Sequence, residues 1–504
     1  MVKFYKVVCS FIFIFAFLPL TLVGFYILKA LQYYTSAKVF LILASLFFYA
    51  YFKIDYIFIL AFSTLVNFFL ANLILRKENS GGGYTLLYLG IIFNLCLLAI
   101  FKYTDFFLEN FNLFSKLVHL DFNIPLPHIL LPLGISFFTF QQIAFLVDCY
   151  KKSNIEDLLE NKKVDFIDYC LFISFFPQLI AGPIVHHKEM MPQFHSLLNK
   201  EKALIDWELM AKGLFIFSIG LFKKVYIADS FASWANAGFT VVQNGNFLNI
   251  FEAWATSLSY TFQLYFDFSG YCDMAIGLAL FFGIVLPINF NSPYKALNIA
   301  DFWRKWHITL GRFLKDYLYI PLGGNRFGKF INLRNLFIVA FLSGVWHGAG
   351  WGFVIWGILH AIAMISHRIY SFWAKGKTFL NSKIYKIISW FITFNFINIA
   401  WIFFRSENLQ GAINFLKSMF GVVWVELPLK FKAGILFKKI GGNDTMVGFI
   451  LVSFILCICF KNSINMLQDF KPSFKNSLIV MFLFYIALIT LIAIPYTEFI
   501  YFNF

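Results

Sequence analysis

Long apolar blocks recur from one end of the chain to the other, and they limit it to one class of fold. The first block is Val7–Leu31 and the last is Leu478–Ile494. A helix needs about 20 apolar residues to span the hydrocarbon core of a membrane. The pattern therefore predicts an all-α, polytopic bundle of transmembrane helices. We expect a single integral-membrane domain over residues 1–504, with about 10–12 full crossings.

Composition agrees with a membrane protein and excludes several soluble classes. Of the 504 residues, 60% are hydrophobic and only 13% are charged, whereas soluble domains carry about 25% charged residues. This balance excludes an ordinary cytosolic enzyme and a disordered protein. The net charge of +15 does not indicate a nucleic-acid binder, because no soluble segment offers a basic face.

Two apolar segments contain prolines and polar residues that a simple spanning helix would not tolerate. Irregular backbone at membrane depth survives only inside protein or against a wet cavity. These segments therefore predict re-entrant or broken helices that line an interior. The interrupting and polar residues are Pro125, Pro127, Pro132, Gln141 and Gln142 in the first segment, and Pro177, Gly182 and Pro183 in the second.

The segment Lys295–Arg334 is the most basic part of the chain, with eight Lys or Arg against two acids. Such a segment marks the cytoplasmic side of a membrane protein. At 100° per residue its first half separates into an apolar and a charged face, which predicts an interfacial helix. The apolar face holds Trp303, Trp306, His307, Leu310, Phe313, Leu314 and Tyr317; the charged face holds Asp301, Arg304, Lys305, Arg312, Lys315 and Asp316.

Three histidines lie where they could carry chemistry. His347 sits among four glycines and two tryptophans, which suits either a buried general base or a tight helix contact. His307 suits either an interfacial anchor or a residue facing the same cavity as His347. His360 follows His347 by thirteen positions, and on one continuous helix it would point about 140° away, so packing is the favoured interpretation. The pair His186-His187 is expected near a membrane interface rather than at a metal.

Other polar residues favour structural roles. Asp267 and Asp273 are expected to pair with the basic segment, in preference to catalysis. Asn289, Asn291 and Asn298 could cap helix starts. The seven cysteines are scattered, mostly in apolar runs, so neither a disulfide framework nor a metal site is expected.

Several longer motifs resemble those of the membrane-bound O-acyltransferase family, in particular its bacterial branch. They are Leu131–Phe140, Phe176–Pro183, Asp267–Gly277, Asp301–Leu310, Asp316–Arg326 and Trp346-His347-Gly-Ala. The branch acetylates alginate or peptidoglycan and includes the teichoic-acid D-alanylation transferase. The resemblance covers nearly the whole chain and implies a ring of tilted helices around a thin centre.

The resemblance also implies site residues. The family's catalytic histidine corresponds to His347, and its second signature position to His307. The tail Tyr496–Phe504 is similar to that of a small partner protein of the D-alanylation system, in which a Tyr is thought to carry the acyl group. That residue corresponds to Tyr501 here. Anchoring in an aromatic belt at the interface is the alternative role for Tyr501.

The sequence thus predicts a multi-pass O-acetyltransferase of the bacterial inner membrane. By family analogy the acyl donor is acetyl-CoA, no cofactor is tightly bound, and Arg304, Lys305 and Arg312 are expected to contact the donor phosphates. A periplasmic O-acetyltransferase partner would complete transfer to a polysaccharide. Peptidoglycan is the first choice of acceptor and alginate the alternative. A channel or transporter without chemistry, or a scaffold for a secretion complex, would account for the broken helices equally well.

Overall fold

The computed structural model describes residues 8–77, 81–120, 122–151, 159–160, 163–197, 203–493 and 500. It divides into two compact units. Unit 1 comprises Met1–Phe217 and Ala275–Pro287, and unit 2 comprises Ser218–Met274 and Ile288–Phe504. Two helices, α9 (Trp207–Phe222) and α11 (Ile250–Phe281), contribute residues to both units.

Unit 1 is built from apolar helices and one short two-stranded ladder. The ladder pairs β1 (Leu159–Glu160) with β2 (Lys163–Val164) in antiparallel register. A π-helical turn, Phe13–Phe17, precedes the first helix. The α-helices are α1 Leu18–Ala30, α2 Tyr34–Ala50, α3 Asp55–Arg76, α4 Gly81–Leu117, α5 Ile135–Lys151, α6 Phe166–Ser174, α7 Phe176–Leu179 and α8 His187–Ser196.

The segment around Pro177 lies in the interior of unit 1, which confirms the prediction of a broken helix there, whereas Pro125 and Pro127 of the first segment are exposed. The backbone leaves the helical path at Phe175, between α6 and α7. Residues 171–183, which include the end of α6 and all of α7, are buried. Gln142, on α5, is fully buried and accepts hydrogen bonds from Ser63 and Asn67 on α3. The side-chain oxygen of Gln142 is therefore satisfied by other polar side chains at this depth.

Unit 2 holds the second half of the chain. Its α-helices beyond α9 and α11 are α10 Asp229–Gln243, α12 Ile299–Trp303, α13 Ile308–Leu314, α14 Gly328–His347, α15 Trp351–Ala374, α16 Lys383–Arg405, α17 Leu409–Met419, α18 Ala433–Leu436, α19 Asp444–Cys459, α20 Ser463–Gln468 and α21 Phe474–Ala493. Lys223–Ala228 and Lys315–Tyr319 are π-helical, and Pro293–Lys295, Thr378–Asn381 and Lys438–Ile440 are 3₁₀ turns.

Seven helices in the described part of the chain are long and apolar enough to cross a membrane. They include Phe13–Ala30, which confirms the helix expected near the N-terminus. Two shorter apolar helices, Tyr34–Ala50 and Asp444–Cys459, add to these. The number is below the ten to twelve crossings expected, because several apolar stretches form short, broken or polar helices.

The basic segment is not one amphipathic helix, so that prediction is wrong. Helix α12 ends at Trp303 and α13 begins at Ile308, because His307 adopts a left-handed conformation with φ 47° and ψ 51°. Most of the predicted apolar face is nevertheless buried, with Trp306 and Leu310 each 1% exposed, whereas Trp303 and Tyr317 are half-buried. Periodicity identified most of the buried residues but could not show the break.

Helices α14 and α15 pack closely through glycine. A Cβ added to Gly344 would lie 2.6 Å from the Cα of Gly357 and 2.6 Å from the carbonyl oxygen of Phe353. Such distances leave no room for a side chain. The contact places the last turn of α14 against the first turns of α15.

We expect Gly344→Ala to destabilise the protein by about 1–3 kcal/mol, the usual cost of overpacking. Gly448→Ala is the matched control. Gly448 also lies within a helix, α19, but a Cβ there meets nothing within 4 Å, so the exchange should be neutral or stabilising. The measurement is the thermal midpoint of the detergent-solubilised protein. Equal midpoints for the two variants would contradict the close packing.

Candidate active site

His347 is the last residue of α14, where Gly348 to Gly350 turn the chain into α15. Its side chain is only 3% exposed. Aromatic rings surround it: the ring centroid of Trp346 lies 4.9 Å away, that of Phe404 5.2 Å and that of Trp356 5.3 Å. The imidazole therefore occupies an apolar enclosure in which bulk water is excluded.

His307 lies next to His347 within unit 2. The two imidazole centroids are 6.5 Å apart, and Trp346 contacts both rings. His307 is 1% exposed, and burial lowers its pKa to about 3, so the ring is neutral at physiological pH. The structure thus brings together the two histidines that the sequence singled out, from segments forty residues apart.

Asn289 contacts the His307 ring through its side-chain oxygen. The distance from His307 Nδ1 to Asn289 Oδ1 is 3.2 Å, and the same oxygen accepts hydrogen bonds from Thr309. Asn289 was expected only as a helix cap. No sequence pattern distinguishes it from Asn291 or Asn298, and only Asn298 behaves as a simple cap, at the start of α12.

His360 shares neighbours with His347, contrary to the expectation from a continuous helix. The chain turns between α14 and α15, so the 140° calculation does not apply. Trp356 contacts both rings, with centroid distances of 5.3 Å to His347 and 4.4 Å to His360. The indole N–H of Trp303 donates to His360 Nδ1 over 3.2 Å. His360 is thus packed against Trp356 and hydrogen-bonded to an indole rather than to the carbonyl expected from its favoured interpretation.

A cavity of about 770 Å³ opens beside these residues in unit 2. Arg304 and Arg312 line it, as does His360. Lys305 does not; its ammonium pairs with Asp301 over 2.8 Å. The sequence missed two further cationic lining residues, Lys315 and Arg368. Lys315 lies in the basic segment, but Arg368 is on α15, where no charge pattern marks it.

Asp267 and Asp273, both on α11, form buried ion pairs, but not with the basic segment. Asp273 pairs with Lys223 over 2.8 Å, and Asp267 pairs with Lys224 over 2.9 Å. Both lysines belong to the π-helical turn that follows α9. The predicted partner is therefore wrong, because two lysines distant in sequence lie closer.

Asp267 also contacts the C-terminal end of the chain. The backbone N–H of Ile500 donates to Asp267 Oδ2 over 2.9 Å, and Ile500 is buried. Tyr501, the next residue, lies outside the described residues. The buried carboxylate therefore fixes the chain one position before the tyrosine that the sequence singled out.

The remaining predicted polar pair, His186-His187, is buried in unit 1, where His187 Nδ1 lies 3.4 Å from an oxygen of Asp148. Within the described ranges, no group of three or more His, Cys, Asp or Glu side chains could hold a metal ion.

The family model and three relatives that match this chain all belong to proteins that transfer acyl groups. Residues 44–409 match the model of MBOAT, the membrane-bound O-acyltransferase family. The chain is 48% identical to a peptidoglycan O-acetyltransferase of Helicobacter pylori, over 98% of this chain and 96% of the relative. It is 38% identical to a probable alginate O-acetylase, AlgI, of Pseudomonas aeruginosa, over 81% and 74%. It is 28% identical to a teichoic acid D-alanyltransferase of Bacillus subtilis, over 56% and 70%.

The family match includes the basic segment Lys295–Arg334, with His307 in it, as well as His347 and His360. It agrees with the apolar helices, which make this a multi-pass membrane protein. The chain therefore belongs to the membrane-bound O-acyltransferase family, and its activity is acyl transfer.

Proposed function

We propose that this chain is a peptidoglycan O-acetyltransferase of the bacterial inner membrane, which passes acetyl groups from a cytoplasmic donor toward the cell wall. The choice of peptidoglycan as the acceptor rests on the 48% identity to the Helicobacter pylori protein over nearly the full length of both chains. Family membership favours acyl transfer over the channel and scaffold alternatives.

Alginate remains the second candidate acceptor. The match to the Pseudomonas aeruginosa relative covers 74% of that protein, so a quarter of it has no counterpart in the alignment. Mass spectrometry of muropeptides from a strain lacking this chain tests the choice. Loss of O-acetyl groups from muropeptides is expected; normal muropeptide acetylation would overturn peptidoglycan as the acceptor.

Acetyl-CoA is the proposed acyl donor, and the cavity of unit 2 is its proposed site. Phosphate groups favour Arg and Lys as partners. Arg304, Arg312, Lys315 and Arg368 line the cavity, and they belong to, or pack near, the segment proposed to face the cytoplasm. Lys305 is the weaker candidate, because Asp301 already neutralises it.

His347 is the proposed general base. An acceptor hydroxyl loses its proton to the His347 imidazole while its oxygen attacks the thioester carbonyl. A carbon–oxygen bond forms, the carbon–sulfur bond breaks, and the departing thiolate takes up the proton from His347. His307 is neutral and lies beside His347, so its proposed task is to orient the reacting groups by hydrogen bonding.

The first acceptor hydroxyl is proposed to be that of Tyr501. A phenol has a pKa of about 10, so its ester is a better acyl donor than the ester of a serine. A periplasmic O-acetyltransferase partner with its own serine would then receive the acetyl group and modify the glycan. The hydrogen bond from Ile500 to Asp267 supports the proposal, because it holds the residue that precedes Tyr501.

His347→Gln tests the base. Glutamine keeps hydrogen-bonding capacity but has no useful basicity, so acetylation should fall by about 10²–10⁴-fold, the usual contribution of a proton-transfer group. His347→Ala should abolish it. The measurement is glycan acetylation in cells, with membrane abundance checked by immunoblot. Near-normal acetylation by His347→Gln at equal abundance would contradict the assignment.

His307→Asn and His307→Ala together test the orienting role. We expect Ala to reduce the rate by about 10²–10³-fold, the cost of losing a preorganised polar group. Asparagine retains a donor and an acceptor and tolerates left-handed backbone better than most residues. The Asn variant should therefore keep at least about tenfold more activity than Ala. Equal activity of the two variants would indicate that His307 exchanges a proton.

Tyr501→Phe tests the carrier. The substitution keeps the aromatic ring and removes only the hydroxyl. Glycan acetylation should be eliminated while the abundance of the protein in the membrane stays unchanged. Phe502→Tyr in the Tyr501→Phe background is a control for position, and it should not restore activity. Full acetylation by Tyr501→Phe would leave only the anchoring role.

A further inference from the structure

Asn289 and its neighbour Asn291 form more hydrogen bonds with the residues around His307 than a helix cap would need. It lies in an extended stretch of unit 2 and is 1% exposed. Its carbonyl oxygen accepts the backbone N–H of Ile308 over 3.0 Å, and the N–H of Asn291 donates to the carbonyl of Lys305 over 2.9 Å. The backbones on both sides of His307 are therefore tied to the Asn289 stretch.

The side chain of Asn289 adds a second set of bonds. Its Oδ1 accepts from the backbone N–H of Thr309 over 3.2 Å and from the Thr309 hydroxyl over 2.9 Å. Its Nδ2 donates to the sulfur of Cys272 over 3.3 Å. Because a backbone N–H can only donate, the atom facing Thr309 must be the amide oxygen. The orientation of the amide is thus fixed.

That orientation determines the state of the imidazole. Asn289 Oδ1 lies 3.2 Å from His307 Nδ1 and can only accept, so Nδ1 must carry the proton. In a neutral imidazole the other nitrogen, Nε2, then holds the lone pair. Burial keeps the ring neutral by lowering its pKa to about 3. His307 also occupies left-handed backbone, which costs a non-glycine residue roughly 1–2 kcal/mol and needs such bonds to persist.

We propose that Asn289 is a positioning residue that holds His307 in one orientation and one tautomer, with Nδ1 protonated and Nε2 as a hydrogen-bond acceptor. Outer contacts of this kind set which nitrogen of an imidazole is available to a reacting group. The inference rests on the proposed function for its kinetic consequence, whereas the tautomer can be measured without it.

The kinetic test compares three variants of the purified full-length chain. Asn289→Ala removes the acceptor, and we expect kcat to fall by about 10–100-fold, the usual effect of losing an outer contact of this kind, with KM for the acetyl donor unchanged. Asn289→Asp keeps an oxygen at the same position and should restore part of the activity. Asn298→Ala is the matched control: it removes the cap of α12 without touching His307, and kcat should be retained.

The spectroscopic test reads the tautomer directly by solid-state NMR of protein labelled with ¹⁵N-histidine. The His307 signals are assigned by their loss in His307→Asn. Wild-type protein should show a protonated Nδ1, and Asn289→Ala should show a mixture of tautomers. A protonated Nε2 in wild type, or unchanged kcat in Asn289→Ala at equal folding, would overturn the proposal. Absence of acetyl transfer by wild-type protein would instead overturn the proposed function and leave the tautomer result standing.

Discussion

Backbone polar groups at membrane depth must find partners within the protein, and the architecture depends on that constraint. Long helices satisfy it locally. Where a helix breaks, other groups of the chain supply the bonds: the hydroxyl of Ser45 accepts from the N–H of Phe176, and the amide of Gln178 donates to the carbonyl of Phe172. In unit 2 the Asn289 stretch does the same for the break at His307. Irregular backbone is thus confined to places where side chains can complete it, and one of these places carries the histidine site.

Buried charges obey a related constraint. Removing one partner of a buried ion pair typically costs about 3–5 kcal/mol, because the other charge stays buried and uncompensated. Lys223 with Asp273 and Lys224 with Asp267 meet this condition in unit 2. The second pair also holds the backbone of Ile500. The carboxylate that neutralises Lys224 therefore also holds the backbone of Ile500.

Sequence patterns predicted the features that depend on periodicity and on motif composition. They did not predict contacts between segments that lie far apart in the sequence. Apolar runs predicted the all-α membrane fold, and Pro177 and Pro183 predicted the broken helix. The glycine-rich setting of His347 and the family resemblance indicated the histidine pair, and the structure brings the two rings to 6.5 Å. Periodicity could not foresee the left-handed backbone at His307, because that conformation depends on Asn289, eighteen residues earlier. The lysine partners of Asp267 and Asp273 were missed for the same reason.

The arrangement of the cavity and the histidines has a chemical consequence. Ser343 and His360 line the cavity, and Ser343 precedes His347 by one helical turn. Trp356 is fully buried and contacts both His360 and His347. The indole of Trp356 therefore links His360, in the cavity wall, to the proposed base. A thioester is exposed to hydrolysis whenever a base and water reach it together, and excluding water from a reacting centre prevents that loss. The rings of Trp346, Trp356 and Phe404 packed around His347 exclude bulk water from the proposed base, so acyl transfer can compete with hydrolysis even though the proposed donor enters from an aqueous compartment.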